Sequence, residues 1–224
     1  LRMELAQLAV FVRAPTPGKV KTRLATRFGD AGAARLYQAF AEDTIALCSR
    51  VRAAGRVDLA LWSDGFDDKV SDWAKRLGTS ARIQPEGDLG VRLAAAFDEG
   101  LRKYERVVII GSDMPTLPIE LIGAAFDSLE RSPFMLGPAQ DGGYYAIGAS
   151  RRVRPSFEGV RWSTANALAD TIQANAARQP SMLPPWYDID EPEDIAVLRA
   201  HLSIDSAAAP ATASCIAELS LHQR

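Results

Sequence analysis

Short, nearly unbroken apolar runs alternate with amphipathic stretches along most of this chain, and that rhythm leaves few folds open. Leu8–Val12, Val57–Trp62, Val107–Ile110 and Phe134–Leu136 are the runs, with Ala81–Ile83 a weaker one. Apolar residues in succession, without strict polar alternation, suit strands covered on both faces. Between them lie helical patterns. The longest spans about 30–52, with Leu36, Phe40, Thr44 and Leu47 at spacings of three and four. Others are predicted near 67–77, 89–104 and 119–129. Strand, helix and strand in repetition mean βαβ units, hence an α/β fold with a mostly parallel sheet. After Leu136 the rhythm changes: Asp141–Ile147 reads as a glycine-led, β-rich insertion with an antiparallel piece. Helices near 165–176 and 193–202 finish a single domain spanning 1–202. In 203–224, ten of 22 residues are Ala or Ser. That composition predicts a mobile tail, with 213–221 the one stretch suited to a short helix.

Hydrophobic residues make up 47% and charged residues 24% of the 224, enough to bury a proper core. With 26 basic against 28 acidic residues the net charge is −2. A dedicated nucleic-acid binder usually carries a basic surplus, so none is expected as partner. Cys48 and Cys215 cannot make a disulfide framework. The opening apolar run, Leu8–Val12, is too short for a signal sequence or a membrane span. Met3 reads as the natural start, and a cytoplasmic protein is expected. Composition leaves the oligomeric state open.

Three segments carry candidate chemistry. Arg13-Ala14-Pro15-Thr16-Pro17-Gly18-Lys19-Val20-Lys21-Thr22-Arg23-Leu24 follows the first strand, where open α/β sheets bind their ligands. Lys19, Lys21 and Arg23 occur at every second residue, so an extended segment would point all three one way. Such a row calls for an anion among its charges, most simply a phosphate chain; the alternative is a solvated basic turn. Gly111-Ser112-Asp113-Met114-Pro115 ends the strongest strand with a carboxylate placed for a hard cation. Alternatively, Asp113 or Thr116 caps the helix after Pro118. In Asp188-Ile189-Asp190-Glu191-Pro192-Glu193-Asp194, Glu193 and Asp194 suit the positive end of a helix. Asp188 and Asp190 stay available as metal ligands. Either of them at ~4 Å from Asp113 would be repelled by about 4 kcal/mol at an effective dielectric of 20, so a cation belongs between them. His201 and His222 near the C-terminus and two isolated cysteines argue against zinc; oxygen donors favour Mg²⁺ or Mn²⁺.

Two glycine-rich pieces add to these. In Glu86-Gly87-Asp88-Leu89-Gly90, Asp88 and Gly90 could hold a ribose or phosphate through backbone N–H groups, or Asp88 could cap a helix. In Gly137–Tyr144, Asp141 could serve as base or acceptor-binding group, or merely form an Asp-Gly turn. Trp162-Ser163-Thr164 reads as a helix cap.

In their order along the chain, these blocks resemble the DUF2064 family of the GT-A glycosyltransferase superfamily, the nucleotide-diphospho-sugar transferase fold. The resemblance runs from about Leu8 to Leu202. It implies a three-layer α/β/α sandwich with a Rossmann-like sheet, and a divalent metal, Mg²⁺ or Mn²⁺, bridging nucleotide phosphates. It further implies that Asp113 and Asp190 are metal ligands and that Lys21 and Arg23 hold the phosphates. With Ala14, Gly18, Lys19, Asp88 and Gly90 these make the candidate nucleotide site; Lys21, Asp113 and Asp141 are the candidate catalytic residues. Two reactions fit: transfer of a sugar from a nucleotide-sugar to a small acceptor, or nucleotidyl transfer from a triphosphate. The Lys-Val-Lys-Thr-Arg-Leu run is also similar to the loop of phospholactate guanylyltransferases, which implies the second. A catalytically silent nucleotide-binding module is the third expectation.

Overall fold

The computed structural model describes residues 6–55 and 57–221; Met3 and His222 lie outside the described residues. The strands are β1 (Ala6–Val12), β2 (Val57–Ser63), β3 (Ala81–Ile83), β4 (Arg106–Ile110), β5 (Phe134–Pro138), β6 (Tyr144–Ser150) and β7 (Ser181–Met182). The helices are α1 (Ala25–Ala54), α2 (Asp68–Arg76), α3 (Leu89–Gly100), α4 (Ile119–Arg131), α5 (Ala167–Ala174), α6 (Asp194–Ile204) and α7 (Pro210–Leu221). The backbone leaves helical geometry at Gly29, so the regular part of α1 begins about where the periodicity places it.

All seven strands form one sheet, ordered β3-β2-β1-β4-β6-β5-β7. Only β6 is antiparallel to its neighbours β4 and β5. It follows β5 through the Asp141-Gly142 turn, and a hairpin turn can join only antiparallel strands. The rest is parallel, because each connection crosses over through a helix. Successive side chains alternate between two apolar layers. Leu8, Val10, Val108 and Ile110 pack under α1, α2 and α4, together with Ile45, Trp73 and Ile122. Ala9, Val107, Ile109 and Leu136 pack under α3 and α5, with Leu93, Phe97 and Ile172. Both faces are covered, which is why the strand sequences lack polar alternation. The result is the three-layer α/β/α sandwich.

The last segment corrects an expectation. Residues 210–221 are not a mobile tail; they form α7, packed on α1 and α6 around Leu36, Phe40, Leu198, Cys215 and Ile216. Alanine is the best helix former, and its small side chain lets helices approach closely. Gly32 of α1 lies under Leu219, with 3.6 Å from a built Cβ to Cδ2. Asp43, buried in α1, supplies the cap: its carboxylate accepts from the N–H groups of Ala211 (3.0 Å) and Thr212 (2.9 Å). No residue near Pro210 in sequence announces that partner.

Between β1 and β4 the chain order reverses direction across the sheet. The loops that leave these two strands, 13–24 and 111–118, open side by side. That is the switch point where such sheets form a ligand crevice.

Candidate active site

Lys21 occupies the centre of that crevice. The loop carrying it is not extended. It folds into successive turns, with Lys21 itself at φ +47°. The expected row of three cations facing one way is therefore not formed: Lys19 stays exposed on the rim with Gly18, and Lys21 turns inward. The side chain of Lys21 is only 6% exposed. Its ammonium donates to Asp190 Oδ1 and lies 2.9 Å from Asp113 Oδ1. Burial alone would lower its pKa, yet the two carboxylates outweigh burial and raise it. Arg23 reaches Glu191 at 3.0 Å from the outer side. Arg13, Lys21, Arg23, Tyr37, Asp113 and Asp190 line a pocket of about 250 Å³.

Asp113 does not cap a helix. The residue before α4 is Pro118, and no side chain caps that terminus. Thr116 is engaged elsewhere, donating its hydroxyl to Tyr187 at 2.6 Å. The Asp113 carboxylate is left to meet Lys21. The 188–194 segment is stitched alongside: Ile189 N–H donates to the Asp113 carbonyl at 3.1 Å. The N–H groups of Asp190 (2.8 Å) and Glu191 (2.7 Å) donate to Asp194 Oδ2. Asp194, the first residue of α6, thus fixes the turn entering that helix, as an acid at a helix start suggests, and the Asp190 side chain remains available.

Asp141 arrives from the β5–β6 turn, where its Oδ1 accepts from Gly143 N–H at 2.8 Å. Asp141, Asp188 and Asp190 each place a carboxylate oxygen within 4.8 Å of the others. Burial, with Asp141 and Asp190 nearby, pushes the Asp188 carboxyl up to about 6. Every donor in this group is a hard oxygen, which suits Mg²⁺ or Mn²⁺ rather than zinc. His201 is bound to Tyr187 (2.8 Å), and both cysteines are buried.

The turn itself depends on Gly142, at φ +85°, where an added Cβ would lie 2.3 Å from the Ala165 carbonyl oxygen. Gly142→Ala is expected to cost about 2–4 kcal/mol, as both strain and a backbone clash. A urea melt superimposable on that of the wild type would contradict this.

Three candidates, Asp88, Gly90 and Ala14, are engaged in local structural contacts. Asp88 caps α3, accepting from Val91 N–H at 3.0 Å. Gly90 is needed for packing: a Cβ there would be 2.9 Å from Phe157 Cβ and 3.0 Å from Trp162 Cζ2. Trp162 belongs to that aromatic cluster, against Phe157 and Tyr144. Ala14 has its N–H taken by Asp64 Oδ1 at 2.9 Å. Asp64 also binds Arg13 Nε at 2.8 Å.

The residue that sequence reasoning overlooked is Tyr37. Its hydroxyl, fully buried, accepts Arg13 N–H at 2.6 Å and shares a 2.8 Å hydrogen bond with Ser112. It ties the root of the basic loop to the end of β4. Burial, then the Asp113 charge, raises its pKa. The only hint in the sequence is a hydroxyl on the apolar face of α1.

The family model described as "Uncharacterized protein conserved in bacteria (DUF2064)" matches residues 45–164. The chain belongs to the DUF2064 family. The matched span contains Asp113 and Asp141, while Lys21 and Asp190 flank it. This DUF2064 protein is 32% identical to a provisionally named nucleotide-diphospho-sugar transferase from Desulfovibrio desulfuricans G20. That match covers 96% of this chain and 95% of the other, with a TM-score of 0.82. Two more distant structures share the fold. One is CMP:2-keto-3-deoxy-manno-octonic acid synthetase complexed with CTP, 11% identical over 90% of this chain and 99% of that one, TM-score 0.57. The other is Rv0371c from Mycobacterium tuberculosis H37Rv in complex with manganese, 17% identical over 87% and 97%, TM-score 0.51. No curated protein matches the sequence. The fold is therefore that of the nucleotide-diphospho-sugar transferases. No helix among the described residues is long and apolar enough to cross a membrane.

Proposed function

We propose that this DUF2064 protein is a divalent-metal-dependent transferase that takes a nucleotide-sugar donor and passes the sugar to a small-molecule acceptor. One observation carries the reading: the Lys21 ammonium lies at the switch point between Asp113 and Asp190, beside Asp188 and Asp141. A nucleotide diphosphate needs positive charge and a cation held by hard oxygens at that place. The name of the 32% identical relative supports the same donor class.

Asp190 and Asp113 would hold the ion, with Asp188 offering a further oxygen. Bound there, Mg²⁺ or Mn²⁺ supplies a charge clamp for the diphosphate. Lys21 and Arg23 bind phosphate oxygens and stabilise the charge that develops on them. Tyr37 and Asp64 keep the loop in register. In the transfer, an acceptor hydroxyl oxygen bonds to the anomeric carbon as the bond to the phosphate oxygen breaks. The electron pair leaves with the nucleoside diphosphate, and Asp141 takes the hydroxyl proton. A second reading, nucleotidyl transfer with release of pyrophosphate, is favoured by the three cationic side chains lining one small pocket, which would suit a triphosphate.

A thermal-shift panel of nucleoside diphosphates, triphosphates and nucleotide-sugars, each with and without Mn²⁺, separates the two. A ligand at 100 times its dissociation constant adds ~2.7 kcal/mol of stability, enough to move the melting point by degrees. The expected result is a metal-dependent shift, larger for one nucleotide-sugar and its diphosphate than for any triphosphate. A shift confined to one triphosphate would establish the second reading instead. Shifts indifferent to metal would overturn the roles of Asp113 and Asp190 and leave a nucleotide-binding module.

A further inference from the structure

We infer that Lys21 and the divalent ion compete for Asp190, so that Lys21 ties retention of the metal to the arrival of phosphate. The inference rests on the metal-dependent reading above and adds a regulatory step to the same site. Lys21 sits directly on Asp190 Oδ1 while also pairing with Asp113 at 2.9 Å. The backbone that carries each carboxylate is held in place: Asp190 N–H donates to Asp194, and the Asp113 carbonyl accepts from Ile189 N–H. The ammonium ends a four-carbon stem with rotatable bonds, on a backbone held at φ +47°, a region costly for any residue with a Cβ. An ammonium and a dication cannot share one carboxylate oxygen without strong repulsion. When the ion takes Asp190, the ammonium loses one of its two carboxylates and turns further into the pocket it shares with Arg13 and Arg23. Three cations there with one carboxylate fewer call for an anion, and a phosphate group is that anion. The ion alone should therefore bind weakly, and ion plus nucleotide together far better.

The test is Mn²⁺ binding without nucleotide, followed by the electron paramagnetic resonance signal of the free ion. Wild type is compared with Lys21→Met, Lys21→Gln, Lys19→Met and Asp190→Asn, each checked for a native melting curve. Both Lys21 variants are expected to bind Mn²⁺ about tenfold or more tighter than wild type, although they bind nucleotide less well. Lys19→Met, which removes an equal charge from the exposed rim, should stay within about twofold, because exposed charges are screened. Equal affinity in wild type and both Lys21 variants would mean that Asp190 serves the ion with its other oxygen, and would overturn the competition alone. So would an equal gain in Lys19→Met, which would reduce the effect to net charge. Mn²⁺ binding by none of the proteins, or binding undiminished in Asp190→Asn, would remove the metal-dependent reading and this inference with it.

Discussion

Asp190→Asn is expected to lower Mn²⁺ affinity by more than about 100-fold and to abolish metal-dependent nucleotide binding, while leaving the fold intact. Asp190 belongs to the Asp141–Asp188–Asp190 group and is also paired with Lys21. Asparagine keeps the shape but removes the charge from both relationships at once. Loss of groups that only support metal ligands costs about 10–100-fold, so loss of a ligand should exceed that range. The stability change should be modest, about 1–3 kcal/mol, because the carboxylate is half-exposed and the buried Lys21 ammonium keeps Asp113 as its partner. An Mn²⁺ titration and a thermal melt on the same sample check both halves. Wild-type metal binding in the variant would refute the assignment. Asp88→Asn is the useful contrast: asparagine caps a helix as well as aspartate, so neither metal nor nucleotide binding should change.

The second large effect concerns stability. Removing residues 210–221 is expected to cost about 3–5 kcal/mol and to lower the melting temperature by roughly 10 °C. Cys215 and Ile216 are both buried against α1 and α6, and burial of an isoleucine alone contributes ~1.5–3 kcal/mol. The same truncation strips Asp43 of both its α7 donors, leaving a carboxylate that burial already disfavours as an anion. Asp43→Ala in the full chain should cost less, about 1–2 kcal/mol, the usual value of a lost cap. Melting curves of the three proteins test the ranking. A truncated chain as stable as the full one would mean that α7 adds nothing to the core.

The parallel sheet was legible because Leu8–Val12 and Val107–Ile110 are apolar at every position, which only a strand buried on two faces requires. Asp113 was legible as a candidate because it ends the strongest strand, and Asp190 because Glu193 and Asp194 take up the helix start and leave it available; the family resemblance implied the metal role of both. The long-range relationships were not legible. Nothing in Lys19-Val20-Lys21 says that the middle of the loop turns through a positive φ, so alternate residues do not share a face. The buried hydroxyl of Tyr37 is separated by 24 residues from the N–H it receives and by 75 from Ser112. The Ala-rich stretch looked too poor in large side chains to pack, because its cap and its apolar partners lie on α1, with Asp43 168 residues from Ala211.

That last separation bears on how the protein is made. The cluster that joins Leu24, Leu36 and Phe40 to Ile195, Leu198 and Ile216 draws on both ends of the described chain. On the ribosome, α1 emerges early with one apolar face that has no partner until α6 and α7 follow. At about 5–20 residues per second the wait is on the order of ten to thirty seconds. The nascent α1 is then a natural client for a chaperone during synthesis, and translational pauses downstream of residue 54 would lengthen that exposure.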